Sequence, residues 1–323
     1  MRGGQISIRF IIPAVLLLLL AFVPFGAPGL QVLLTLALAK GIAVMGITVL
    51  LRSGQVSFGH ALYFAIAAYG GAFTLMLMPG ADLNVVFLLG LNVAVLSGVI
   101  VGLFAARYRF TFFAMLNLAF SMIFWSILEK FYHYTGGADG MRLPRPTVFW
   151  MELERGPYEI LMFYLALGLA LGLGWFSMRW LESPTGQLFR TIKTNETRLQ
   201  YLGMSPQRVM LTGYVLSALL CGVGGIIMGL VQNVVTPEYA FWVRSGEMVF
   251  IAVLGGAGSV PGALVAAAIY EIVRTYASAF AGDIWQLVLG TFLLIIILFA
   301  PGGIAGIYNS VMDRIAGKKE EGE

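Results

Sequence analysis

The chain has 323 residues, of which 59% are apolar and 11% charged, against roughly 25% charged in an ordinary soluble domain. That balance excludes a soluble globular protein and a disordered chain, and the single cysteine, Cys221, excludes an intrachain disulfide scaffold. The net charge of +4 would suggest nucleic acid in a soluble protein, but here the cations stand at the ends of apolar runs, so it points to a membrane and to no nucleic-acid partner.

A bilayer-spanning helix needs roughly 20 mostly apolar residues. On that rule the chain reads, in order, as spans over about 10–25, 30–51, 56–78, 85–106, 110–128, 160–178 and 209–231, a short apolar piece over 248–254, and spans over 263–280 and 285–300. The expected fold is therefore all-α: one polytopic transmembrane domain over 1–323, with about ten crossings and some broken or re-entrant segments. The first stretch follows Arg2 and Arg9 and precedes Gly26 and Ala27, as a signal peptide does, but lacks a clear A-x-A site and reads as a retained helix.

Ten crossings put both termini on one side. With that side in the cytoplasm, 13 of the 20 Lys and Arg fall on inner segments, six near outer ends and one, Lys40, within a span; the bias follows the positive-inside rule. The outer loop, about 131–158, carries Asp139, Glu152 and Glu154, with Glu159 just beyond, beside Pro144, Pro146, Trp150 and Tyr158. The inner loop, about 179–208, places Pro184 and Pro206 around a run of helix formers, which predicts one or two short helices on the cytoplasmic face and a docking surface. A cytoplasmic tail follows from 307 to 323.

Glycines recur at four-residue spacing, as at Gly98 and Gly102, Gly168 and Gly172, and Gly225 and Gly229. Such notches let helices pack closely in lipid. Two glycine-rich breaks, 53–60 and 255–262, interrupt the apolar pattern, and irregular backbone at membrane depth survives only where protein or a water-filled cavity satisfies it. Paired breaks in two halves of a chain point to transport.

Catalytic constellations are missing. The two histidines, His60 and His133, lie far apart, and neither H-E-x-x-H, G-x-S-x-G nor a P-loop occurs. No catalytic residue, metal site or cofactor is expected, and ATP would have to be bound by partner subunits.

Polar residues within spans are the candidates for the translocation path: Lys40, Gln55, Ser57, His60, Asn117 and Ser259. Lys40 reads either as a cation attracting a substrate carboxylate or as half of an internal ion pair. Gln55, Ser57 and His60 either line the path or satisfy backbone freed by the break. Asn117 and Asn92 read as amides bridging helices, and Glu271 and Arg274, three residues apart on one helix, as a pair.

Five motifs occur in order: G-Q-V-S-F-G-H-A over 54–61, S-P-x-G-x-x-x-R-x-I-x-x-N-E over 183–196, L-G-M over 202–204, G-G-x-G-S over 255–259 and P-G-G-I-A-G over 301–306. Together they resemble the branched-chain amino acid ABC importer permeases of the LivM type, over nearly everything from about residue 30 to 306. The resemblance implies a permease subunit in a bacterial inner membrane, moving branched-chain or related amino acids by alternating access. It implies four kinds of association: a second permease, two cytoplasmic ATPases, a periplasmic binding protein and the lipid bilayer. It also implies that the inner loop couples to the ATPase, with Arg190, Asn195, Glu196 and Gly203 at the matching positions. The same family resembles transporters of urea, short amides and small acids, so the cargo stays open. An autonomous channel or ion-coupled secondary transporter would use broken helices equally well.

Overall fold

The computed structural model describes residues 22–24, 28–201, 203–280, 282–299 and 302–315. Most of the first expected span, Leu202, Pro301 and the tail beyond residue 315 lie outside the described residues.

Twelve helices organise the described chain: α1 (Pro28–Arg52), α2 (Ala61–Leu77), α3 (Leu83–Ala105), α4 (Phe110–Lys130), α5 (Arg155–Glu182), α6 (Pro184–Thr194), α7 (Glu196–Tyr201), α8 (Pro206–Gln232), α9 (Trp242–Gly255), α10 (Val260–Phe280), α11 (Trp285–Phe299) and α12 (Gly303–Ile315), besides short turns. Two short strands, β1 (Met141–Arg142) and β2 (Val234–Val235), pair antiparallel. Six of these helices, α1, α3, α4, α5, α8 and α10, are long and apolar enough to cross a membrane.

Local chemistry sets the starts. Ser183 and Ser205 each accept a backbone N–H at the head of α6 and α8, with Pro184 and Pro206 in the first turn, where a missing N–H costs nothing. Asp82 caps α3 by accepting from Asn84 N at 2.9 Å.

Successive helices alternate between two ends. Arg52, Arg107, Arg109, Arg190 and Lys193 collect at one, here the basic end, while residues 131–154 form the far end. Helices α1 and α8 make the centre: 72% and 78% of their most apolar windows are buried, against 33%, 22% and 33% for α3, α4 and α5. The outer helices turn Leu96, Ile100, Phe112, Met115 and Trp175 outward, as lipid-facing surfaces do. At the centre, backbone meets backbone: a Cβ on Gly225 would lie 2.0 Å from Phe64 O.

Four expectations need correction. The third span becomes helical only at Ala61, because 53–60 carries its own turn and side-chain bonds. A Cβ on Gly168 or Gly172 would meet nothing within 4 Å, so among the described residues their spacing marks no packing seam. Asn92 bonds Leu88 O within its own helix and is exposed, since its face of α3 is not covered by any other described helix. The 255–262 break is a tight turn at the basic end, where Gly258 O accepts from Arg52 Nε at 2.8 Å. The short apolar piece it follows is the end of α9, whose 14 residues cover about 21 Å. The discontinuity that shortens it comes before α9, over 233–241.

Candidate functional site

Two broken spans enter the bundle from opposite ends. Residues 53–60 climb from the basic end before α2 begins, and residues 233–241 descend from the far end before α9 begins. Both stop beside the middle of α4. An added Cβ on Gly59 would lie 2.0 Å from the backbone of Asn117, the eighth of that helix's 21 residues, and Ser121, the twelfth, donates to Ala240 O at 2.6 Å. The two helix starts meet there: Ser245 Oγ in α9 accepts from the backbone N–H of Ala61 at 2.8 Å.

Side chains satisfy the first break. Gln55 Oε1 accepts from Phe110 N at 2.6 Å, and Ser57 Oγ accepts from Gly59 N at 3.3 Å while lying 2.6 Å from His60 Nδ1. His60 is fully buried, edge-on to Tyr63 and Tyr214 with ring centroids 5.2 Å away in each case. Its Nε2 has no partner among the described residues. Asn117 joins the same knot, accepting from Tyr214 OH and donating to Phe113 O, while Tyr214 OH also lies 2.7 Å from Tyr63 OH.

Backbone satisfies the second break. Val234 and Val235 pair with Arg142 and Met141, and Leu143 N donates to Asn233 O at 2.9 Å. Asn233 turns the chain in the left-handed region (φ 57°), which asparagine tolerates. A 3₁₀ turn from Pro237 to Ala240 then leads into α9.

Charges gather beside this second break. Lys40, at the centre of α1, holds Glu271, at the centre of α10, with Nζ and Oε2 2.7 Å apart and both side chains almost fully buried. Of the two readings of Lys40, the ion pair is the one with a partner in place. Glu271 also takes Arg274 at 3.4 Å, and Arg244 reaches Glu247 at 3.3 Å on α9.

At the basic end, Glu196 is gripped by Arg109 through two contacts, Nη2 to Oε1 at 2.7 Å and Nε to Oε2 at 3.0 Å. Asn195 Oδ1 accepts from Arg198 N, and Gly203 (φ 74°) closes the loop. Helix α6 buries Phe189 and Ile192 and turns Arg190 outward into a cleft of about 690 Å³ shared with Arg52, Glu182, Gln187 and Ser259.

The path candidates thus divide. Gln55, Ser57, His60 and Asn117 gather at the first break, Lys40 lies with the charge cluster, and Ser259 sits at the basic end, capping α10 by accepting from Gly262 N. Sequence reasoning overlooked Arg109, Ser121, Ser245 and the Arg244 and Glu247 pair. The signal for the last was present: a cation and a carboxylate three residues apart, just ahead of an apolar run too short to cross.

The family model described as "Branched-chain amino acid transport system / permease component" matches residues 29–298. The chain is 26% identical to the high-affinity branched-chain amino acid transport system permease protein LivM of Escherichia coli K12, over 94% of this chain and 76% of that protein. Shorter matches run to the permease proteins BraD of Pseudomonas aeruginosa, 29% identical over 46% of this chain and 47% of that one, and LivH of E. coli K12, 32% identical over 38% and 40%. No solved structure matches.

Proposed function

This chain belongs to the family of branched-chain amino acid transport system permease components, a multi-pass membrane transport subunit and not an enzyme, and on that premise we propose that it is the membrane half of an ATP-driven importer for branched-chain or related amino acids. The observation that carries this reading is the pair of oppositely entered broken spans whose helix starts meet at the Ala61 and Ser245 bond. Broken spans meeting near the midplane are how carriers build a gate that two sides can move.

The basic end lies in the cytoplasm of an inner-membrane protein, on the strength of its cations. Helices α6 and α7 are the face that docks an ATPase, through Arg190, Asn195, Glu196 and Gly203, and ATP belongs to that partner. Glu196 plays an internal part in this scheme. Its grip on Arg109 ties α7 to the start of α4, where Phe110 N donates to Gln55 of the first break, so a push on α7 reaches the gate through two contacts joined by one peptide bond. At the other side, β1 ties the far-end loop to the second break, offering a periplasmic binding protein the same leverage. A second permease completes the passage; LivM and LivH are both named permease proteins of branched-chain transport systems.

Vesicles decide the matter. Leucine uptake is expected only when this chain is joined by a second permease, two ATPases, a binding protein and ATP. Uptake driven by an ion gradient through this chain alone would establish an autonomous carrier instead.

A further inference from the structure

We propose that Arg244 and Glu247, with Arg274 beside them, form a station on the passage wall that reads the charged end of the travelling amino acid, the guanidinium taking its carboxylate and Glu247 its ammonium. This rests on the importer reading above and deepens it.

Position comes first. Arg244 and Glu247 lie in the first two turns of α9, which starts at the level of Ser121 on α4. Their side chains are 23% and 19% exposed, and that of Arg274 is 27% exposed. Charges at this depth face a bundle interior, a water-filled space or another chain, not lipid. Helix α10 accords with this: its hydropathy of 1.3 is the lowest of the six long spans, the others running from 1.8 to 2.4. On this proposal the face of α9 and α10 is the one turned to the passage, opposite in character to the Leu96 and Ile100 face of α3.

Chemistry follows. Among the described residues, hydrogen bonding from the Arg244 guanidinium to another side chain is one 3.3 Å contact to Glu247, which leaves most of five N–H donors for an incoming carboxylate. Glu247 supplies the opposite sign one turn away, so the pair matches both ends of a zwitterion. Val243 and Phe250, 44% and 48% exposed, flank Glu247 at four and three residues' distance on the same face and offer apolar surface to a branched side chain. Behind the pair lies a narrow cavity lined by Lys40, Gln232, Tyr239, Arg244, Glu247 and Arg274. The Lys40 and Glu271 pair fixes the rear wall, and Glu271 holds Arg274.

The experiment uses the complete transporter in proteoliposomes, with Cys221→Ser as background. Val243→Cys and Glu247→Cys are expected to react with a membrane-impermeant charged methanethiosulfonate, and saturating leucine during turnover is expected to slow the reaction at least threefold. Ile100→Cys should stay unmodified. Arg244→Gln is expected to lower ATP-driven leucine uptake at least tenfold while Arg244→Lys keeps part of it, with ATP hydrolysis retained in both. If the unsubstituted complex shows no ATP-dependent leucine uptake, the importer reading itself fails. If it transports but Val243→Cys is unreactive or unprotected by leucine, or Arg244→Gln transports normally, the station is refuted. Val243 is exposed and bears no structural bond, so its result stands even if the charged variants misassemble.

Discussion

The two broken spans solve one problem in opposite ways. Both leave backbone polar groups unpaired at membrane depth, where each orphan costs several kcal/mol. The 53–60 break is satisfied largely by side chains, Gln55, Ser57 and Ser245, and is wired to the basic end through Arg109. The 233–241 break is satisfied largely by backbone pairing with the far-end loop and by Ser121. Side-chain bonds can be exchanged as helices shift, whereas a β-pair moves as a unit with its loop. One break suits a switch driven from the cytoplasm, and the other suits a lever pulled from outside.

The largest expected effect comes from the charges beside the second break. Lys40→Met leaves Glu271 in the bundle with only its longer contact to Arg274 and should cost up to about 3–5 kcal/mol, read as a lower melting temperature in detergent. Adding Glu271→Met removes the under-compensated charge and should recover most of that loss; a double variant no better than the single would show that the pair is not what matters. Next comes the first break. Gly59→Ala drives a Cβ to 2.0 Å from the Asn117 backbone, an overpacking expected to cost about 1–3 kcal/mol or more. Gly168→Ala, with nothing within 4 Å, should be neutral or slightly stabilising in the same assay.

Smaller effects separate the breaks more finely. Ser245→Ala orphans the Ala61 N–H and should cost about 1–3 kcal/mol, while conservative Ser245→Thr should keep the bond. The least is expected at Asp82, where the backbone N–H of Asn84, aided by those of Trp150 and Phe149, holds the carboxyl below the usual carboxylate range. Because its folded pKa lies below the unfolded value, its support for the far-end loop is complete above the unfolded pKa. It is lost as pH falls through the folded one. Hydrogen exchange in residues 147–151 should accelerate on acidification in the wild type, and Asp82→Asn should flatten that dependence.

Much of this was legible beforehand because membrane helices announce themselves by apolar length, and prolines and serines punctuate the inner loop. The first break was legible too, since Gly54 and Gly59 interrupt an apolar run. The second was misplaced: 255–262 is richer in glycine, but its turn sits at a helix end, whereas 233–241 looks unremarkable and gains its meaning from pairing with residues about 90 positions earlier. Long-range partners such as Glu271 for Lys40, or Arg109 for Glu196, are invisible to spacing rules, which see only neighbours along one helix.

The most direct measurement is a charge exchange at the Arg109 and Glu196 grip in the reconstituted transporter. Arg109→Glu alone should leave ATP hydrolysis running while leucine uptake falls at least tenfold, and Arg109→Glu with Glu196→Arg should restore much of the uptake. Full uptake by the single variant, with α7 thus cut loose from α4, would contradict the claim that the cytoplasmic helices drive the gate through this contact.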